Sequence, residues 1–294
     1  MTQIIATLSD IASGYEALFC DLWGCLHNGR AAYPAAVAAL QKYRADGGRV
    51  VLLTNAPRPN QFVIAQLDRL GVPRDAWDLV VSSGDAAQYA MLSGAVGRRV
   101  WHLGPSKDDG FFEEIPAGLA GQAPIQRVPL DEAEGIVCTG PFDELTEVPE
   151  DYRGRFLSAK ARGLKMLCAN PDIVVDMGEQ RIYCAGALAG LYDQMGGESL
   201  YFGKPHPPIY DLARQRLTAL TGVPAEDGGI LAIGDGIGTD IQGGMGEGID
   251  ALFVTGGIAA TDFDPDVENP DAARLEPWLA ARQISPAFAM GRLR

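Results

Sequence analysis

Four groups of residues in this chain have side chains suited to chemistry: Asp21, the pair Thr54-Asn55, Lys204, and Asp235 with Asp240. A hard cation such as Mg²⁺ takes a few carboxylate oxygens and keeps several waters, which Asp21 and Asp235 are able to satisfy. The ammonium of Lys204 and the hydroxyl of Thr54 suit phosphoryl oxygens. A carboxylate such as Asp21 can attack phosphorus, because aspartates form acyl phosphates. Each group alone has an ordinary explanation: aspartate before glycine makes turns, a Thr-Asn pair caps, and a lysine is solvated. Together they suit phosphate chemistry at a metal.

The elements that must position these residues follow one pattern. Residues 17–20 are apolar and run into Asp21, with Gly24 turning the chain. Residues 49–53 run likewise into Thr54-Asn55, and residues 229–234 into Asp235-Gly236. Apolar runs of this kind are strands buried on both faces, as in parallel sheets flanked by helices. Such sheets bind ligands outside the carboxyl ends of their strands.

Helical spacing over 34–44, opened by Pro34 and stopped by Gly47-Gly48, links the first two strands into a βαβ unit. A helix over 61–70 and a strand over 79–83 come next. The middle of the chain continues the alternation, with strands at 99–104, 135–140 and 165–170 and helices at 85–92, 151–162 and 185–195. Residues 200–205 read as an aromatic strand that delivers Lys204, followed by a helix over 208–220. A strand at 250–254, an acidic loop over 261–271, a helix over 272–282 and an edge strand near Ala287 complete the expectation. The fold class is α/β, a doubly wound, mostly parallel sheet with an inserted α/β domain.

Composition narrows the partners. The chain has 294 residues, 47% of them hydrophobic and 21% charged, which suits a folded soluble protein of two domains. A net charge of −14 argues against a nucleic-acid partner, because that binding needs a basic surface. A single phosphate held by one metal and a few donors is compatible with an acidic protein. The five cysteines are odd in number and lack paired CxxC spacing, so they read as buried free thiols. No basic leader and no apolar stretch of about 18 residues is present, so the expectation is a cytoplasmic protein without a membrane partner. A homo-oligomer is compatible with the sequence.

The stretches Asp21-Leu22-Trp23-Gly24, Leu53-Thr54-Asn55, Gly203-Lys204-Pro205 and Gly234-Asp235-Gly236-Ile237-Gly238-Thr239-Asp240 resemble, in order and spacing, the four motifs of the haloacid dehalogenase superfamily. The middle of the chain is similar to the large α/β cap of the subclass containing NagD-like nucleotide and sugar phosphatases. Asn170-Pro171-Asp172 followed by Gly186-Ala187-Leu188 looks like a stretch near the end of that cap. The resemblance implies a hydrolase core of residues 1–83 and 202–294 and a cap of residues 84–201. It also implies that Asp21 is the nucleophile and a Mg²⁺ ligand, with Asp235 and the backbone carbonyl of Trp23 as further ligands. Asp240 would support the metal through water or orient Lys204. Thr54, the Asn55 backbone and Lys204 would hold the phosphate of a small phosphorylated metabolite, either a sugar phosphate, a nucleotide or an acyl phosphate. Asn170 and Asp172 are specificity candidates, with a plain turn around Pro171 as the alternative.

One position departs from the family pattern. Active phosphatases of the superfamily usually carry a second aspartate two residues after the first, as acid and base, and this chain has Trp23 there. An indole keeps the carbonyl but does not exchange protons near neutral pH, which implies slow turnover. His27 is the nearest substitute, with His102 and His206 no better placed, and Arg58 is a surface residue or a substrate contact. A phosphometabolite-binding or regulatory module with little turnover is the alternative. A dinucleotide site at Gly234, Gly236 and Gly238 is a weak alternative, because Thr239 stands at the third glycine position and no acidic residue closes the next strand at Val254. A receiver domain would have no use for the long insertion before Lys204.

Overall fold

In the computed structural model, residues 1–113, 115, 121, 123–177, 180–263 and 266–294 are described. They form two compact units: Met1–Thr54, Ile64–Val81 and Tyr210–Arg294 in one, Asn55–Val63 and Ser82–Ile209 in the other.

The first unit is built on a seven-stranded sheet. Its order is Gln3–Ile4, Phe288–Met290, Asp250–Val254, Ile230–Gly234, Ala17–Cys20, Arg49–Thr54 and Leu79–Ser82. The pairings from Gln3–Ile4 through Arg49–Thr54 are all parallel. Every residue of Ala17–Cys20 and Ile230–Gly234 is buried, as continuous apolar runs require when helices cover both faces. Successive strands run outward from Ala17–Cys20 on one side and from Ile230–Gly234 on the other, so the strand order reverses between these two neighbours. That reversal opens a crevice at their carboxyl ends. The helix Pro34–Ala45 begins on its proline and is followed by Gly47 at φ +102, the start and stop signals of the sequence.

One expectation changes here. The strand near Ala287 is Phe288–Met290, and it is not an edge, because the amino-terminal pair Gln3–Ile4 docks outside it. A two-residue strand carries too little pattern to be seen in sequence. The acidic loop expected over 261–271 is described except at residues 264 and 265, which lie outside the described residues.

The second unit carries a parallel five-stranded sheet in the order Glu198–Tyr201, Lys165–Cys168, Gly135–Cys138, Arg99–Leu103 and Gln126–Arg127. A core of Trp101, Tyr152, Phe156, Leu188 and Tyr192 covers one set of its side chains, and Met91, Phe111, Val137 and Leu167 gather in another. An antiparallel pair, Val174–Met177 with Gln180–Tyr183, was not foreseen. The strand expected to deliver Lys204 is Glu198–Tyr201 and pairs with Lys165–Cys168. It ends before Phe202, which leaves Lys204 in the turn that follows.

Candidate active site

In the first unit, Asp21 and Asp235 sit immediately past the two strands between which the order reverses, and the backbone N–H of Asp21 donates to the carbonyl of Ile233 at 2.8 Å. Thr54 closes the next strand on the same edge. All three are buried, at 8%, 4% and 3% exposure. Carboxylate oxygens of Asp21 and Asp235 and the sulfur of Cys25 lie within 4.8 Å of one another.

The surrounding backbone makes room for these acids. A Cβ on Gly24, at φ +74, would stand 2.0 Å from Oδ2 of Asp235, and one on Gly257 would stand 1.9 Å from the same oxygen. The Ile258 N–H donates to that oxygen at 2.8 Å. Asp235 is therefore held in a glycine cradle with one carboxylate oxygen oriented by the backbone. Asp240 lies in a single π-helical turn, Ile237–Ile241, and its Oδ2 accepts the Gly236 N–H at 3.1 Å. Gly234 carries no side chain for a similar reason: a Cβ there would come 2.1 Å from the Asp240 side chain. Turns of this type recur at functional sites. Two clustered carboxylates with their space kept open by glycines are a donor set that fits a divalent cation.

The indole of Trp23 folds back onto its own loop. A Cβ on Gly29 would lie 2.3 Å from Cη2 of the indole, and Gly29 adopts φ +79, which glycine tolerates best. The His27 ring meets Trp23 edge-on at 5.2 Å between centroids. His27 is 1% exposed, and its Nδ1 accepts the Gly29 N–H at 3.1 Å. Burial holds its pKa down to about 4, so the ring is neutral at pH 7. A neutral imidazole with Nδ1 occupied by an accepted hydrogen bond is a poor general acid.

The second unit brings together Asn55, Asn170, Asp172 and Lys204. The Asn55 side chain uses both ends: Nδ2 donates to Asp172 Oδ1 at 2.8 Å and to the Lys204 carbonyl at 3.0 Å, while Oδ1 accepts the Lys204 N–H at 2.7 Å. Asn170 Oδ1 accepts the Asp172 N–H at 3.0 Å, an Asx turn around Pro171. A Cβ on Gly203 would sit 2.5 Å from Asn55 Oδ1, and one on Gly186 would sit 2.1 Å from the Pro171 carbonyl. The residues of three separate sequence stretches thus form one hydrogen-bonded knot around Lys204, which is 3% exposed.

The remaining candidates are elsewhere. Arg58 stands 3.9 Å from Asp108, a carboxylate 1% exposed whose pKa burial raises to about 6. His102 lies 3.1 Å from Thr139 Oγ1, and His206 stacks on Tyr201 at 4.9 Å. Cys25 was missed as a site residue: in the sequence it is one more thiol in an apolar run, and only folding brings its sulfur to the two carboxylates. Burial, then Asp235 and Asp21, push its thiol well above the ordinary range.

Comparison with known proteins places this architecture. A family model described as haloacid dehalogenase-like hydrolase matches residues 18–116, and a HAD-hydrolase-like model matches residues 201–274. The chain superposes on a haloacid dehalogenase-like hydrolase from Brucella suis with a TM-score of 0.85 and 38% identity, covering 99% of this chain and 100% of that one. It is 26% identical to the ribonucleotide monophosphatase NagD of Escherichia coli over 273 residues, 88% of this chain and 97% of the relative. It is also 26% identical to a D-glycerol 3-phosphate phosphatase of Mycobacterium tuberculosis, over 85% of this chain and 66% of that protein.

Proposed function

From the premise that the chain belongs to the haloacid dehalogenase-like hydrolases, we propose that it is a phosphohydrolase of a small phosphorylated metabolite, acting through Asp21. The observation that carries this reading is the pair of buried carboxylates, Asp21 and Asp235, at the carboxyl ends of the two strands between which the sheet order reverses. Relatives named as glycerol phosphate and nucleotide phosphatases support the same substrate class.

In this reading Asp21, Asp235 and the Trp23 carbonyl would hold Mg²⁺, with Asp240 supporting them. The cation, when bound, supplies charge stabilisation to the phosphoryl oxygens. Asp21 attacks phosphorus in line, forming the Asp21–phosphorus bond as the bond from phosphorus to the leaving oxygen breaks. Water then hydrolyses the aspartyl phosphate and releases phosphate. Thr54, the Asn55 backbone and Lys204 neutralise and orient the phosphoryl group, while Asn170 and Asp172 act on Lys204 through the Asn55 side chain. With Trp23 at the acid position and His27 neutral, the leaving oxygen draws its proton from water. Turnover is then slow on alkyl phosphates and faster on acyl phosphates, whose leaving group needs no proton. General acid–base catalysis contributes about 10²–10⁴-fold, which sets the size of the deficit.

The same observation on Trp23 and His27 favours a second reading, a phosphometabolite-binding module that keeps phospho-Asp21. Phosphate release over a panel of alkyl, sugar, nucleotide and acyl phosphates with Mg²⁺, beside intact-mass detection of phosphoprotein, separates the two. Multiple turnovers support the hydrolase; a stable phosphorylated mass without turnover supports the module.

A further inference from the structure

We propose that Cys25 supplies a sulfur donor to the divalent cation of the Asp21–Asp235 centre, so that this centre takes thiophilic ions such as Cd²⁺, Zn²⁺ and Co²⁺ far more tightly than an all-oxygen site would. The inference rests on the metal part of the function proposed above. Its geometry lies wholly within the first unit: the Cys25 sulfur and one oxygen from each aspartate are mutually within 4.8 Å, a span that one ion can bridge.

The thiol itself argues for the same role. Cys25 is 1% exposed, and no hydrogen bond from it is found among the described residues. Two other buried thiols in the chain do have acceptors: Cys20 donates to the Asp21 carbonyl and Cys168 to the Asn170 carbonyl, each at 3.3 Å. Cys25 instead faces the two carboxylates, where one bridging cation would engage its sulfur and their oxygens together. The glycine cradle of Gly24 and Gly257 fixes Asp235 beside it, so the three donors are set before any ion arrives.

The chemistry depends on the ion. Mg²⁺ prefers oxygen ligands and dehydrates reluctantly, so with Mg²⁺ the sulfur stays protonated and the carboxylates carry the site. With a softer ion the Cys25 S–H bond breaks, its proton passes to solvent, and a sulfur–metal bond forms, because a coordinating thiol is deprotonated outright. The ion then has two carboxylates and a thiolate around it.

The test is a titration of the full chain with Cd²⁺ and with Co²⁺, followed by thiolate-to-metal charge-transfer absorption in the near ultraviolet, with Mg²⁺ and Cd²⁺ dissociation constants from calorimetry. The wild type should develop the band at one equivalent, and Asp235→Asn should weaken it. Cys25→Ser and Cys25→Ala should abolish it and lower the preference for Cd²⁺ over Mg²⁺ at least tenfold, whereas Cys20→Ser should retain it. A wild type that binds Cd²⁺ without the band overturns the inference whether or not either Cys25 variant folds. So does a band or a preference unchanged in both variants. If the wild type binds neither Mg²⁺ nor Cd²⁺, the metal reading under the proposed function falls together with this one. Mg²⁺ binding without any dependence of Cd²⁺ affinity on Cys25 overturns the sulfur donor alone.

Discussion

The family resemblance expects an acid at Trp23, whose indole rests on Gly29 and His27. Because the ring is anchored by its loop, Trp23→Asp exchanges a packed indole for a carboxylate two residues from Asp21. The expected outcome is a rise of about 10²-fold in kcat on an alkyl phosphate, read as phosphate release, since that is the lower range of general acid–base catalysis. Asp21→Asn should reduce release to background on every substrate; residual turnover above background would remove Asp21 as the nucleophile. The glycine cradle makes a separate claim. Gly257→Ala places a methyl 1.9 Å from the Asp235 carboxylate and should weaken Mg²⁺ binding by at least tenfold in calorimetry.

At the scale of elements, the turn after Thr54, the turn at Asn170-Pro171-Asp172 and the turn at Gly203-Lys204 are joined through one amide. Asn55 makes three hydrogen bonds there, each worth roughly 0.5–1.5 kcal/mol, and its loss leaves buried partners unpaired. Asn55→Ala should therefore cost about 2–4 kcal/mol in urea unfolding. A change below 0.5 kcal/mol would show that the knot is not what holds Lys204 in place. Asn170→Ala, which removes only the Asx turn, should cost less than Asn55→Ala. The sequence shows these stretches as separate motifs because their spacing along the chain, about 115 residues from Asn55 to Asn170 and 34 from Asn170 to Lys204, carries no sign of who bonds with whom.

For the molecule as a whole, buried titratable groups set the response to acid. His27 and His102 have folded pKa values of about 4, below the ordinary 6.5, so unfolded chains bind more protons between these values and stability falls as pH drops through that window. Asp108 acts the opposite way. Its pKa is raised to about 6 from 3.8, so its burial costs stability as pH rises through that range. Two histidines against one aspartate leave a net loss of roughly 2 kcal/mol between pH 7 and pH 5. Chemical denaturation at the two pH values checks this, and Asp108→Asn should raise stability at pH 7. The sequence by itself determined the parallel α/β class, the buried strands and the identities of Asp21, Thr54, Lys204 and Asp235 as the residues to watch. Apolar runs, strand-ending polar residues and glycine stops are all local signals. Tertiary structure alone decided which strands are neighbours, and with them the reversal that brings Asp21 beside Asp235. It also decided that Cys25 joins them, that Asn55 is spent on Lys204 and Asp172, and that Phe288–Met290 is an inner strand. Each of these depends on contacts between residues far apart in the chain, and no local pattern of side chains encodes a partner at that distance.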